Sequence, residues 1–259
     1  MMMPTQLLLF EHAAATPPGA PAIEPPRSER ELLAVAMALG ASGINGWSEP
    51  EDALTRDLPS PHTDLVKRLE ASIRAGSDPL GELFCSLRSA PERRLQGATY
   101  TPNGIVNAMI DWAMAQATPD RVVDPGAGSA RFLVAAAQRF PRAALLGVEL
   151  DPVAAILARA NLATLGLGDR ATVTVADYRT VDIKPIPGRT LYIGNPPYIR
   201  HHLLPSTCKQ WLVREAGSRG LAASQLAGLH VYFFLATVMK ARAQDFGAFI
   251  TAAEWLDVN

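Results

Sequence analysis

The stretch from residue 121 to residue 131 reads Arg121-Val-Val-Asp-Pro-Gly-Ala-Gly-Ser-Ala-Arg131, a short apolar run followed by an acid and two glycines. Gly126 and Gly128 allow a tight turn and a close approach of the backbone to a ligand. A dinucleotide-binding loop has its third glycine at the position where this sequence has Arg131, so the loop departs from that pattern. Because Asp124 would repel a pyrophosphate, it suits a ligand that carries an ammonium group.

Four further apolar runs of strand length follow, and helix-length segments separate most of them. Strands that are apolar on both faces and alternate with helices are typical of a parallel sheet covered by helices on both faces. We therefore predict an α/β fold with a Rossmann-like, mostly parallel sheet, in which ligands bind at the carboxyl ends of the strands. The predicted strands are 121–124, 145–149, 172–176, 190–194 and 246–251, and the predicted helices are 130–139, 152–164 and 228–243.

Acids stand at the end of three successive predicted strands or directly after it. Glu149 lies 21 residues beyond Gly128, a spacing suited to an acid that binds ribose hydroxyls. Asp177 can accept from an adenine amine while the adjacent Tyr178 packs against the purine. With Asp124, the three acids fit one ligand that has an ammonium, a ribose and an adenine, namely S-adenosylmethionine. For each acid taken singly, a helix N-cap is the competing explanation.

Thr101 and Pro102 stand before a predicted helix that begins at Asn103. Both are ordinary capping residues at such a place. A helix N-terminus with a hydroxyl group can also hold a carboxylate, here the methionine end of the cofactor. The apolar face predicted for this helix consists of Ile105, Met109 and Trp112.

The fourth predicted strand runs into Gly194-Asn-Pro-Pro-Tyr198. Two prolines stop the strand and make a stiff turn. Asn195 and the carbonyl of Pro196 offer acceptors, and Tyr198 offers a flat aromatic face, so the turn suits a planar amine whose lone pair is delocalised. Catalysis there would come from orientation and preorganised dipoles, and no metal is implied. A polyproline ligand for a partner domain is the competing interpretation.

These motifs, in this order, resemble those of class I methyltransferases. More narrowly, roughly residues 95–257 are similar to the N6-adenine DNA methyltransferases of restriction–modification and related phage-defence systems. The resemblance implies methyl transfer from S-adenosylmethionine to the N6 amine of an adenine flipped out of double-stranded DNA. It implies that Thr101 contacts the cofactor carboxylate and that Asp124 contacts the ammonium. It implies that Glu149 binds the ribose and Asp177 the adenine amine, and that Pro102, Gly126, Gly128 and Tyr178 complete the cofactor site. The catalytic turn that it implies consists of Asn195, Pro196, Pro197 and Tyr198.

The segment 229–235 resembles the next motif of that family, in which Phe233 packs near the cofactor adenine. A buried amphipathic helix explains the same residues. The family continues with further strands and a domain that reads the DNA sequence, so we expect a C-terminal recognition domain or a second chain to complete this protein. A protein glutamine amide, a guanine amine in RNA, and a non-catalytic fragment that binds cofactor or a partner are the alternatives.

The rest of the chain is expected to form two further regions. Residues 1–30 are rich in proline and predicted to be a disordered leader. Residues 31–95 have apolar positions at helical spacing and are predicted to be a helical N-terminal subdomain before a methyltransferase domain at 96–259. Helices are expected within 29–45 and 61–75, and between Pro79 and Pro91.

Composition excludes several classes of protein. A net charge of −1 excludes a chain that coats nucleic acid by bulk charge. Two cysteines, Cys85 and Cys208, are too few for a disulfide framework or a zinc site. With no apolar run near the roughly 18 residues of a membrane span, the chain is expected to be soluble and cytoplasmic. A candidate phosphate-contact strip has Arg200, Lys209, Arg214 and Arg219 against one acid, Glu215.

Overall fold

A computed structural model describes residues 24–89 and 101–251 of the chain. Its sheet has five parallel strands in the order β3-β2-β1-β4-β5. Arg121 pairs with Ala144 on one side and with Thr190 on the other, so the strand order reverses at β1. This reversal opens a crevice between the carboxyl ends of β1 and β4, where open α/β sheets bind ligands. The strands are β1 Arg121–Pro125, β2 Ala144–Glu149, β3 Ala171–Val175, β4 Thr190–Gly194 and β5 Phe246–Phe249.

Helices precede the sheet and connect most of its strands, as the sequence predicts. The helices are α1 Glu29–Ala38, α2 Glu49–Leu54, α3 Thr63–Arg74, α4 Pro79–Leu87, α5 Asn103–Gln116, α6 Arg131–Arg139, α7 Pro152–Thr164, α8 Ser206–Gly217 and α9 Leu229–Lys240, with short 3₁₀ turns at Ala41–Gly43 and His201–Leu203.

Alternate residues of the strands face two separate helical layers. Val122 packs in a core with α5, α6 and α7, whereas its neighbour Val123 packs with α8 and α9. In β4 the same alternation separates Leu191 from Tyr192. Both faces of the sheet are therefore covered, which confirms the predicted fold class.

The N-terminal helices pack on the face of α7 that points away from the sheet. Leu32 of α1 and Leu80 of α4 lie in one core with Ile156 and Leu157. Helix α7 is therefore buried between the sheet and the N-terminal helices, which explains why it is apolar on nearly all sides. The division of the chain near residue 95 stays a prediction, since residues 90–100 lie outside the described part.

A fully buried ion pair joins the N-terminal region to α7, and its guanidinium also donates to β3. Arg159 of α7 and Glu51 of α2 are both 0% exposed at their side chains. Burying a charge is costly unless it is paired and hydrogen-bonded, and here every donor of the guanidinium has an acceptor. The acceptors are the Glu51 carboxylate and the carbonyls of Ile44, Asn45, Gly46 and Val173.

The apolar face predicted for α5 is not the face that packs against the sheet. Ile105 is 46% exposed and Trp112 42% exposed, and only Met109 of the predicted three packs against the core. The fully buried residues are each one position further along, at Val106, Ile110 and Ala113. Both sets have helical spacing, so periodicity alone selected the wrong one.

The remaining differences concern the ends of elements. Helix α2, which the sequence analysis missed, begins with the capping box of Ser48 and Glu51. The last strand ends at Phe249 rather than at residue 251. The predicted leader of residues 1–30 overlaps α1, which begins at Glu29 with Ser28 as its N-cap. Residues 1–23 of that leader, and the segments 90–100 and 252–259, lie outside the described residues. Over the described ranges, no helix has the length and apolar character needed to cross a membrane.

Candidate functional site

A cavity of about 650 Å³ lies at the carboxyl ends of the strands. Four predicted site residues, Pro102, Asp124, Pro196 and Tyr198, stand beside its lining rather than in it. The structure thus brings together predicted site residues from six separate places in the sequence. The predicted site residues that border the cavity are Thr101, Gly126, Gly128, Glu149, Asp177, Tyr178, Asn195, Pro197 and Phe233.

The loop after β1 requires its glycines. Gly126 and Gly128 have positive φ angles of 74° and 53°. A Cβ on Gly126 would lie 3.5 Å from Pro197 Cδ and 3.6 Å from Phe233 Cε1, so the loop lies close to the turn after β4 and to α9. Arg131, which takes the place of the third glycine, begins α6 and donates to the carbonyl of Thr101.

The Asp124 carboxylate is buried and unpartnered. The residue is 1% exposed, and neither side-chain oxygen has a hydrogen-bond partner among residues 24–89 and 101–251. Burial raises the pKa of this carboxyl well above its ordinary value, and the nearby Glu149 charge raises it further. A Cβ at Gly194 would lie 2.5 Å from Asp124 Oδ1, so only glycine fits beside it. Because the carboxylate accepts from no backbone amide, Asp124 is not a helix N-cap.

Glu149 organises the loop after β2. Its carboxylate accepts from the backbone amides of Gly128, Leu150 and Asp151, at 2.8, 2.8 and 2.9 Å. Burial raises the pKa of the Glu149 carboxyl, and these hydrogen bonds partly offset the rise. The N-cap of α7 is Asp151 instead, which accepts from Val153. Glu149 thus links two loops that border the cavity.

Asp177 has a partner that the sequence analysis missed. The Arg179 guanidinium donates to both carboxylate oxygens of Asp177, with Nε 3.0 Å from each. Burial would raise the pKa of Asp177, but the hydrogen bonds and charge of Arg179, with the charge of Lys240, lower it overall. The Cys208 thiol also lies beside the Arg179 guanidinium. The acid at this end of the cavity is therefore held ionised.

Two aromatic rings form the wall beside Asp177. Tyr178 and Phe233 are stacked, with ring centroids 5.4 Å apart and planes 26° apart. The Tyr178 hydroxyl pairs with Thr237 at 2.9 Å, and burial raises the pKa of the phenol. Phe233 is part of the packed helix α9 and also borders the cavity. The helix predicted by one interpretation of segment 229–235 is present, and the packing of Phe233 near a cofactor adenine stays a prediction.

The turn after β4 presents an amide at the cavity. Asn195 Nδ2 donates to Thr101 Oγ1 at 3.1 Å, while its Oδ1 is buried and has no partner in the described part of the chain. Pro196 is buried, which makes an accessible polyproline ligand a poor interpretation of the turn. The Tyr198 ring lies 6.1 Å from the ring of His230, tilted by 36°, and burial raises the pKa of the Tyr198 phenol.

The basic strip of residues 200–219 is weaker than its composition indicates. Arg214 and Arg219 both pair with Glu215, at 3.1 and 3.2 Å. Arg200 is exposed next to the short turn that follows the Asn-Pro-Pro-Tyr segment. Two of the four cations therefore already share the one acid of the strip.

The fold and this site define a class of protein. A Listeria monocytogenes structure assigned to the class I S-adenosylmethionine-dependent methyltransferases superposes with a TM-score of 0.53 at 13% identity, covering 89% of this chain and 75% of that one. The chain thus has the fold of that class. Residues 80–227 match the family model described as N-6 DNA Methylase, and the chain belongs to this family.

Two curated relatives span most of the chain. It is 45% identical over 243 residues to the Type II methyltransferase M.XamI of Xanthomonas campestris pv. amaranthicola, covering 90% of this chain. It is 30% identical over 200 residues to a release factor glutamine methyltransferase of Mycolicibacterium smegmatis, covering 75% of this chain and 67% of that protein. The chain spans only 44% of the length of the Xanthomonas enzyme.

Proposed function

We propose that the full-length protein transfers a methyl group from S-adenosylmethionine to the N6 amine of adenine in double-stranded DNA. The observation that carries the proposal is the buried, unpartnered Oδ1 of Asn195 at the edge of the cavity. A buried acceptor without a partner costs about 1–3 kcal/mol, so a donor supplied by a ligand is expected there. Membership of the N-6 DNA methylase family supports adenine as the source of that donor.

The residues that border the cavity, together with Asp124 beside its lining, fit S-adenosylmethionine. The unpartnered carboxylate of Asp124 suits the ammonium of the cofactor, and the hydroxyl of Thr101 suits its carboxylate. Glu149 would bind the ribose, while Asp177, Tyr178 and Phe233 would hold the adenine. When bound, this cofactor supplies the methyl group as an electrophile on a sulfonium.

The catalytic turn would act on the acceptor amine. Asn195 Oδ1 and the Pro196 carbonyl accept from its two N–H bonds, which increases electron density on nitrogen and favours tetrahedral geometry. The Tyr198 ring stacks on the base and holds it in line with the methyl group, so catalysis comes mainly from orientation and fixed dipoles. An adenine in a duplex must first be flipped out of the stack. The DNA sequence around it would be read by another domain or chain. Acting on cellular DNA, the protein would be cytoplasmic.

A glutamine amide is the competing acceptor, because its nitrogen is also planar and a glutamine methyltransferase is among the relatives. The test incubates the full-length protein with S-adenosylmethionine labelled in the methyl group and offers duplex DNA, RNA and a cell protein extract separately. Label in DNA as N6-methyladenine, lost in Asn195→Ala, supports the proposal. Label in protein or RNA with unlabelled DNA overturns it.

A further inference from the structure

Helix α4 of the N-terminal region begins at a buried carboxylate shared with the glycine loop. Asp78, 6% exposed, accepts from the amide of Gly81 at 2.9 Å as an N-cap. The same carboxylate accepts from Ser129 Oγ and, at 2.8 Å, from Arg131 Nε, both of the glycine-loop segment. A fourth donor is Asn161 Nδ2 of α7, at 3.0 Å. The start of α4 is therefore fastened to the loop that follows β1.

The other end of α4 is fastened to the loop that follows β2. Arg88, directly after the helix, pairs with Asp151 and, at 2.6 Å, with Glu29 of α1. Its guanidinium lies 4.0 Å from the centroid of the Phe84 ring. The side chain is only 12% exposed, a setting in which an ion pair is screened less than at the surface. Asp151 directly follows the Glu149–Leu150 pair that borders the cavity.

Between these two attachments, α4 faces the cavity. Gly81, Phe84 and Cys85 border it, at positions that share one face of a helix. A Cβ on Gly81 would lie 2.2 Å from Asp78 Oδ2 and 2.7 Å from Ser129 Oγ. A glycine near the start of this helix therefore permits the close approach of α4 to the glycine loop.

We propose that α4 is a wall of the cofactor site, and that Asp78 and Arg88 are positioning residues for the two loops that hold the cofactor. The inference rests on the proposed function, since it takes the bound ligand to be S-adenosylmethionine. Its consequence is that cofactor affinity depends on ion pairs formed by the N-terminal helices. Those helices are then part of the binding site and not merely a covering of α7.

Two thiols allow the wall to be tested directly. Cys85 borders the cavity from α4, whereas Cys208 borders it from α8, beside Arg179. In the full-length protein, alkylation by N-ethylmaleimide is followed for each thiol by peptide mass spectrometry, with and without S-adenosylhomocysteine. We expect the ligand to slow the labelling of both thiols by about 10-fold. Protection of Cys208 alone would overturn the proposal for α4 while leaving the cofactor site in place. If neither thiol is protected and calorimetry detects no heat of S-adenosylhomocysteine binding, both the proposal for α4 and the cofactor site are overturned.

Arg88→Gln gives a second, independent measurement. We expect the Kd for S-adenosylmethionine to rise about 10-fold, with a larger effect on the KM for the cofactor than on kcat. Arg74→Gln is the matched control, because the Arg74–Glu70 pair on α3 is exposed and borders no part of the cavity. Circular dichroism in the absence of ligand shows whether each variant folds. Equal affinities of folded Arg88→Gln and Arg74→Gln would contradict the role of Arg88.

Discussion

Replacing Asp124 by asparagine is expected to stabilise the ligand-free chain and to weaken cofactor binding. The wild-type carboxyl is 1% exposed and has no hydrogen-bond partner, so burial raises its pKa well above the ordinary 3.8. At neutral pH the folded chain then either holds a proton that the unfolded chain has released or buries an unpaired charge. Either state lowers the free energy of unfolding, whereas an asparagine side chain neither binds an extra proton nor carries a charge.

The sign of the pH dependence follows from the raised pKa. Below the unfolded pKa of 3.8 the carboxyl is neutral in both states, so wild type and variant differ least there. As pH rises toward the folded pKa, the folded state binds more protons than the unfolded state, and the stability of the wild type falls relative to the variant. Each unit by which the folded pKa lies above the unfolded pKa adds about 1.4 kcal/mol to the advantage of Asp124→Asn once the pH exceeds the folded pKa.

Urea unfolding of both proteins between about pH 5 and pH 8, followed by circular dichroism, measures this difference. Calorimetry measures the affinity, where loss of a charged hydrogen bond worth about 1.5–3 kcal/mol predicts S-adenosylmethionine binding about 10- to 150-fold weaker in the variant. An ammonium beside Asp124 also lowers its pKa, so wild type should release a proton on binding and the variant should not. A stability difference that does not change with pH, or unchanged affinity, would refute the reasoning.

Three further predictions concern separate parts of the molecule. Asn195→Ala should lower kcat about 100- to 1,000-fold and change the Kd for S-adenosylmethionine little, since on the proposed function its Oδ1 accepts from the reacting amine; equal losses in steady-state kinetics and calorimetry would contradict this. Tyr198→Ala should lose the stacking worth about 1–3 kcal/mol per base in duplex-binding assays, whereas Tyr198→Phe should retain it. Glu51→Gln leaves Arg159 unpaired in the core and should cost about 3–5 kcal/mol in urea unfolding, and a loss below about 1 kcal/mol would show that the pair is replaceable.

The sheet and the loops at its carboxyl edge could be predicted because each depends on residues adjacent in sequence. The apolar run of β1, the glycines at 126 and 128, and the acid at 124 specify one strand and one turn. Parallel topology then brings the ends of β1, β2 and β4 to the same edge. Placing Glu149 and Asn195 near that edge therefore required no knowledge of their contacts.

The partners of these residues were not predictable in the same way. Asp78 before Pro79 has the sequence signature of an N-cap and a first helical proline, which accounts for only one of its four hydrogen bonds. Arg131 and Arg88 lie 53 and 63 residues from the acids they contact, and nothing in one sequence pairs them. Arg179, two residues from Asp177, had a local signal in its charge that the interpretation of Asp177 as an adenine ligand overlooked.

Two buried charges in this chain differ in whether the ligand-free fold supplies their hydrogen-bond partners. Arg159 is 0% exposed, and each donor of its guanidinium has an acceptor, so its hydrogen bonds are complete without any ligand. Asp124 is 1% exposed and has no partner, although Gly194 keeps space beside it where a Cβ would clash. Because native chains satisfy nearly all buried polar groups, the unsatisfied one marks where stability is given up. On the proposed function, that free energy is recovered when the ammonium of the cofactor binds. The stability of ligand-free Asp124→Asn and its expected loss of affinity are then two measurements of the same interaction.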